Sequence, residues 1–138
     1  MICECKKHGK TRHKMLSNGK NRTRRLTCVL CLRERQKRVR DRKKEVLVGE
    51  AGGKCVICGY DNWIYSLDFH HTDKKQKELS ISKMASLSLE RCRKEAKKCV
   101  LLCKNCHSEI ETGNDNTVNL LRIAMQHRCT LCVESDRD

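Results

Sequence analysis

Cys55-Val-Ile-Cys58 and Cys103-Lys-Asn-Cys106 place two pairs of sulfurs at two-residue spacing in distant parts of one chain. That spacing lets both sulfurs of a pair reach one tetrahedral zinc ion, and two pairs complete the four ligands of a closed structural site. Four core cysteines or a redox pair are the plainer readings of the same residues. A shared ion ties residue 55 to residue 106 and fixes what lies between, and Gly59 supplies the backbone freedom that the first turn needs. The chain requires some such staple. Only 38% of its 138 residues are hydrophobic and 3% aromatic, whereas twelve are cysteine. Small domains without a large apolar core fold with the help of disulfides or metals. With no secretory signal and no apolar run long enough to span a membrane, the chain reads as cytosolic, where thiols serve as zinc ligands rather than disulfides.

A second site is expected from Cys5-x-x-His8 with Cys28-x-x-Cys31, a zinc ribbon of mixed ligands for which Cys3 is an alternative donor. Cys129 and Cys132 have no partner pair left; they recruit His127, pair across a dimer, or remain free thiols. Cys92 and Cys99 share an apolar helical stripe with Leu89 and Ala96 and read as core thiols.

Charge is uneven along the chain. Residues 1–48 hold 17 Lys and Arg against 4 Asp and Glu, whereas residues 49–138 hold 14 against 13. A concentrated basic segment is the electrostatic footprint of a polyanion partner. It lacks the bulky apolar face that membrane binding requires, so DNA is the expected partner and a membrane is not. Residues 32–48 read as a helix with a thin stripe of Leu32, Val39 and Val46. Around this stripe Arg33, Arg35, Lys37, Arg38, Arg40, Arg42, Lys43 and Lys44 cover most of the circumference and are the expected DNA contacts. Gly49, Gly52 and Gly53 mark the break. The organisation expected is a zinc ribbon-like module (1–31), a basic helix and Gly-rich linker (32–53), a dense motif region (54–113), and a C-terminal helix with a CxxC tail (114–138). Within the third stretch, strands are expected over Tyr65–His70 and Val100–Leu102. Helices are expected over 88–98, with Ser88 as N-cap, and over 104–112. A turn at Gly113 to Asn116 precedes a helix over 117–127 with Val118, Leu121 and Met125 on one face.

The run Cys55-x-x-Cys58-Gly59, Leu67-Asp68-Phe69-His70-His71 and Lys98-Cys99-Val100-Leu101-Leu102-Cys103-Lys104-Asn105-Cys106-His107 resembles the HNH endonuclease family. The nearest likeness is to small zinc-stapled members from bacteria and their phages. The resemblance covers residues 55–113 closely and the N-terminal module loosely. It implies a small zinc-stabilised α+β protein with a ββα-metal nuclease fold, preceded by a zinc ribbon and a basic helix, acting in a bacterial or phage-infected cytoplasm. It further implies that His70 and His107 bind a catalytic divalent metal and that His71 is the general base. Glu111, one helical turn after His107, stands where some members carry a third ligand and suits Mg²⁺ or Mn²⁺.

Phosphodiester hydrolysis needs an activated water and charge neutralisation at phosphorus and leaving oxygen, tasks that suit an imidazole base and a divalent ion. Adjacent strand residues face opposite sides, so one histidine of the pair can serve each task. The chain departs from the family at Lys98, which occupies the position of the central asparagine that pins the loop carrying the base; either Lys98, the neighbouring Asn105 or the inserted helix takes over that task, or the active site is less rigid. Asp68 is a further ligand, a supporting partner or a solvated acid, and Lys74, Lys75 and Lys77 are phosphate contacts or a solvated loop. A non-catalytic zinc-finger DNA-binding protein is the rival from another class; it accounts for the cysteines and the basic third but leaves His70, His71 and His107 without a purpose. An RNA-binding protein usually presents stacking aromatics, whereas Tyr60, Trp63, Tyr65 and Phe69 cluster near the knuckle as core candidates. One such nuclease site cuts one strand, so the chain acts as a monomer or a homodimer.

Overall fold

The computed structural model describes residues 1–17, 23–78, 83 and 85–134, with side chains as far as residue 126. It is a small α+β protein, and the chain divides into two compact units, Met1–Arg42 and Lys43–Asp138.

In the first unit, β1 (Ile2–Cys5), β2 (Gly9–Ser17) and β3 (Arg24–Cys28) form one antiparallel sheet in that order. Gly9 opens β2 at a φ of 63°, in the left-handed region that favours glycine, and pairs across the turn with Cys5. Strand β2 runs as far as Ser17 and β3 begins at Arg24; residues 18–22 lie outside the described residues. Helix α1 (Val29–Glu50) follows β3 without a break. It therefore begins before residue 32, and Cys31 lies in its first turn. Among the described residues of this unit only Cys28 is buried, while Met15 and Leu26 of the sheet are exposed. The sheet thus has no apolar face to bury, and the group of Cys5, His8, Cys28 and Cys31 beside it could hold a metal that orders it.

The second unit contains β4 (Leu67–His71), α2 (Leu89–Ala96), β5 (Cys99–Cys103), α3 (Lys104–Glu111) and α4 (Asp115–Glu134). Strands β4 and β5 are antiparallel, with His70 opposite Val100 and His71 opposite Cys99. All five residues of β5 are buried, which is why that stretch reads as an unbroken apolar run rather than an alternating one. One core cluster gathers Val48, Leu67, Leu101, Leu102 and Leu121 around Cys55, Cys103 and Cys106; a second joins Leu47 to Cys92 and Cys99. Cys92 and Cys99 are core thiols as expected, but the helical stripe ends at Ala96 and Cys99 reaches the cluster from the first position of β5. Ser88 caps α2, its hydroxyl accepting the Arg91 N–H at 3.3 Å.

Several boundaries differ from the sequence reading: β4 starts at Leu67 rather than Tyr65, because a short 3-10 turn occupies Ile64–Ser66, and two others change what is buried. The units divide between Arg42 and Lys43, not at the glycines, because Leu47 and Val48 are buried in the second unit's core whereas Leu32, Val39 and Val46 are only half-buried. The Arg93 guanidinium grips Glu50 through two nitrogens at 2.9 and 2.7 Å, holding the end of α1 to α2. Helix α4 begins at Asp115 rather than 117, since the Asn114 side chain accepts the Asn116 N–H at 3.2 Å and opens the helix. Its backbone continues through Cys129 and Cys132, whose side chains, like that of His127, lie outside the described residues. Thr117 and Leu121 are buried, Val118 is half-buried and Met125 is exposed, so the apolar face is narrower than expected.

If the last turns of α1 belong to the second unit, Leu47→Ala will destabilise it by about 2–5 kcal/mol, the usual loss for a buried leucine. Urea unfolding at fixed zinc concentration measures this. A change within a few tenths of a kcal/mol would return those turns to a linker.

Candidate metal centres and the histidine pair

Three groups of metal-ligating side chains come together among the described residues: Cys5, His8, Cys28 and Cys31; Cys55, Cys58, Cys103 and Cys106; and His70, His107 and Glu111. In the first, the turn after β1 and the β3–α1 junction bring the two half-sites together. His8 Nδ1 lies 3.6 Å from Cys5 Sγ, 3.6 Å from Cys28 Sγ and 3.4 Å from Cys31 Sγ, and the Cys5 and Cys31 sulfurs are 3.6 Å apart. Donors held at zinc bond lengths around one tetrahedral centre stand roughly 3.4–3.8 Å apart, so the residues fit the ion. Cys3 is outside the group and does not substitute for Cys5. The peptide N–H of Lys7, then the His8 side chain, draw the Cys5 thiol down to about 6, toward the thiolate a metal needs. Glu34 is a participant the sequence did not single out. Its Oε1 accepts His8 Nε2 at 3.0 Å, which directs Nδ1 to the sulfurs, and its other oxygen meets Lys7.

The second group staples the second unit. Gly59, at a φ of 74°, lets the Cys55 knuckle close, with the Gly59 N–H donating to the Cys55 carbonyl at 3.0 Å. Val56 N–H donates to the Leu101 carbonyl at 3.0 Å, tying the knuckle to β5. Cys58 and Cys103 sulfurs are 3.6 Å apart, again a tetrahedral edge. Burial raises the Cys55 thiol, but the peptide N–H groups around it, that of Cys58 foremost, outweigh this and hold it at about 7. Cys103 also caps α3, its sulfur accepting the Cys106 N–H at 3.5 Å. The cluster therefore sets where α3 begins, and so where His107 and Glu111 project.

The third group lies where β4 meets α3. The rings of His70 and His107 are 5.1 Å apart edge to face, and His70 Nδ1 is 3.6 Å from Glu111 Oε1. Burial, then the nearby His107, lowers the His70 imidazole below its usual value, which favours the neutral form that ligates. His71 turns to other partners: its Nε2 lies 2.8 Å from Oε1 of Glu95 on α2. Asp68, on the same strand, forms an ion pair with Lys44 at 3.3 Å and stands outside the ligand group. Lys74 lies 4.0 Å from Glu111, at the edge of ion-pair range. Lys98 donates to the Gln76 carbonyl at 3.3 Å and pairs with Glu78 and Glu95, so a lysine does hold the loop after the histidine pair.

The basic helix is less uniform than its sequence. Arg33, Arg35, Lys37, Arg38, Arg40 and Arg42 are exposed, with Lys37 bonded to Asp41 at 2.6 Å. Lys43 and Lys44 are half-buried and committed within the second unit. Lys43 donates to the Leu87 carbonyl, and Lys44 reaches Asp68, the Tyr65 carbonyl and the Tyr65 ring. These two are corrected from expected DNA contacts to structural cations.

Two zinc ions per chain are expected by elemental analysis, and Cys103→Ser should release one and unfold the second unit, because ligand binding and folding share one free energy here. A folded, zinc-free sample would overturn both clusters. No protein-family model matches the chain, and no curated protein or solved structure is significantly similar to it.

Proposed function

We propose that this chain is a metal-dependent DNA endonuclease of the HNH, or ββα-metal, type. The observation that carries the reading is the convergence of His70, His107 and Glu111 beside the strand position of His71. A protein that only binds nucleic acid through zinc-stapled modules has no use for a third group of two imidazoles and a carboxylate. The order β4, β5, α3, with a cysteine cluster capping the helix, supports the same reading.

His70, His107 and Glu111 would hold the divalent ion, and their mixed nitrogen and oxygen donors suit Mn²⁺ better than Mg²⁺, which favours all-oxygen surroundings. When bound, the ion supplies charge neutralisation at the scissile phosphate and the leaving oxygen. His71 supplies the base. With Nε2–H directed at Glu95, the lone pair is on Nδ1, and this atom takes the proton from the attacking water as the new P–O bond forms and the bond to the leaving oxygen breaks. A neutral imidazole serves near pH 7 because its ordinary pKa is close by.

Incubating supercoiled plasmid with protein and Mn²⁺ or Mg²⁺, with and without chelator, tests the reading: chelator-sensitive nicking is expected, whereas a gel shift without cleavage would favour the non-catalytic binder. His71→Ala should lower the nicking rate by about 10²–10⁴-fold while leaving zinc content and DNA binding intact; an unchanged rate would remove His71 from the chemistry.

The exposed cations of α1 supply the DNA affinity in this reading. Each phosphate neutralised adds about 0.9 to the steepness of log affinity against log salt on duplex DNA. Replacing Arg33, Arg35, Arg38 and Arg42 together by alanine should therefore flatten that slope by roughly 2–4, whereas Lys43→Ala should leave it unchanged. Equal slopes in the wild type and the fourfold variant would show that the helix is merely solvated.

A further inference from the structure

Glu95 is 2% exposed, and a carboxylate so deeply buried persists only where its charge is matched by donors. Among the described residues, His71, the Glu78 peptide and Lys98 converge on it. Oε1 accepts His71 Nε2 at 2.8 Å and the Glu78 backbone N–H at 3.0 Å, while Oε2 lies 3.3 Å from the Lys98 ammonium. Lys98 in turn reaches the Gln76 carbonyl at 3.3 Å and the Glu78 carboxylate. The Lys98 carbonyl completes the frame, accepting Thr72 N–H at 3.3 Å and Thr72 Oγ1 at 3.2 Å. One carboxylate on α2 thus grips both the histidine at the end of β4 and the chain that leaves it. No buried side-chain nitrogen or oxygen among the described residues lacks a partner.

We infer that Glu95 is a positioning residue that fixes the tautomer and orientation of His71, and that with Lys98 it holds the loop after the histidine pair. The inference rests on the proposed nuclease reading for its catalytic consequence, but the contact itself does not. A carboxylate only accepts, so the nitrogen facing it must carry hydrogen, and Nδ1 is left as the base. The charge also stabilises the imidazolium that forms once His71 has taken a proton, the task an acid behind a catalytic histidine performs. A solely structural ion pair would need Glu95 and Lys98 but not the third bond to His71.

The test uses the full-length, zinc-loaded protein with ¹⁵N-labelled histidine at mildly alkaline pH, the His71 signals being assigned by their loss in His71→Gln. Wild-type His71 should show hydrogen on Nε2 and none on Nδ1. In Glu95→Gln, whose amide both donates and accepts, the two nitrogens should move toward a mixture of tautomers. Single-turnover nicking by that variant should slow on the order of 10²-fold, with DNA affinity and zinc content unchanged. A wild-type signal with hydrogen on Nδ1 overturns the proposal, as do wild-type tautomer and rate in Glu95→Gln. Should Glu95→Gln fail to fold, the wild-type spectrum still decides. If the expected tautomer is found in a protein that never nicks DNA, Glu95 positions His71 and the nuclease reading alone fails.

Discussion

Two groups of four metal-ligating side chains, one at the β3–α1 junction of the first unit and one inside a core cluster of the second, are the constraint on which the fold turns. In the first unit Cys28 is the only buried side chain among the described residues, so burial contributes little, and the group of Cys5, His8, Cys28 and Cys31 could hold an ion that ties the sheet to the helix. The second unit has a real core, yet Cys55, Cys103 and Cys106 sit inside one of its clusters and Cys92 and Cys99 inside the other. A ligand cluster constrains differently from packed leucines. It fixes a few atoms to within tenths of an ångström while leaving the rest of the surface open, which suits a small chain that must carry a large charge and a polar site.

That constraint reaches the site through covalent adjacency. Cys106 precedes His107, and Cys103 caps the helix on which both His107 and Glu111 lie. Glu111 follows one turn after His107, and β4 delivers His70 opposite Val100 of the strand that enters the cluster. The two imidazoles and the carboxylate therefore meet because the thiols fix the start of α3.

Spacing made much of this legible. Both cysteine groups were available from two-residue intervals, which carry local geometry directly, whereas the grouping of His70, His107 and Glu111 was implied by the resemblance of their motifs to a nuclease family. Elements bounded by local chemistry were also legible, Ser88 capping α2 being one. What could not be read was everything set by partners far along the chain. The boundary at Gly49 missed the burial of Leu47 and Val48, because glycine signals a turn but not which side of it joins a core. Cys3 and Cys5 lie two apart on one strand, and only the pairing of β1 with β2 selects Cys5. Glu95 had a weak local signal: three residues after Cys92 and next to Ala96, it is a carboxylate on an apolar stripe, and such a residue must find buried donors.

The same limit governs the basic helix, where similar residue types do different work on either side of one peptide bond. Arg42 is exposed, while Lys43 spends its charge on a carbonyl at Leu87 and Lys44 on Asp68. A lysine bound in this way is already matched within the protein, so net charge overstates the surface that can attract a polyanion. Asp68 is affected by the same pairing, because a carboxylate held by Lys44 is withdrawn from the ligand group on its own strand. The acids of the second unit are therefore sorted by their cations. Lys44 pairs with Asp68, Lys98 compensates Glu95 behind His71, and Glu111, with Lys74 at the edge of ion-pair range and His70 Nδ1 3.6 Å away, stands in a group that could hold a metal ion.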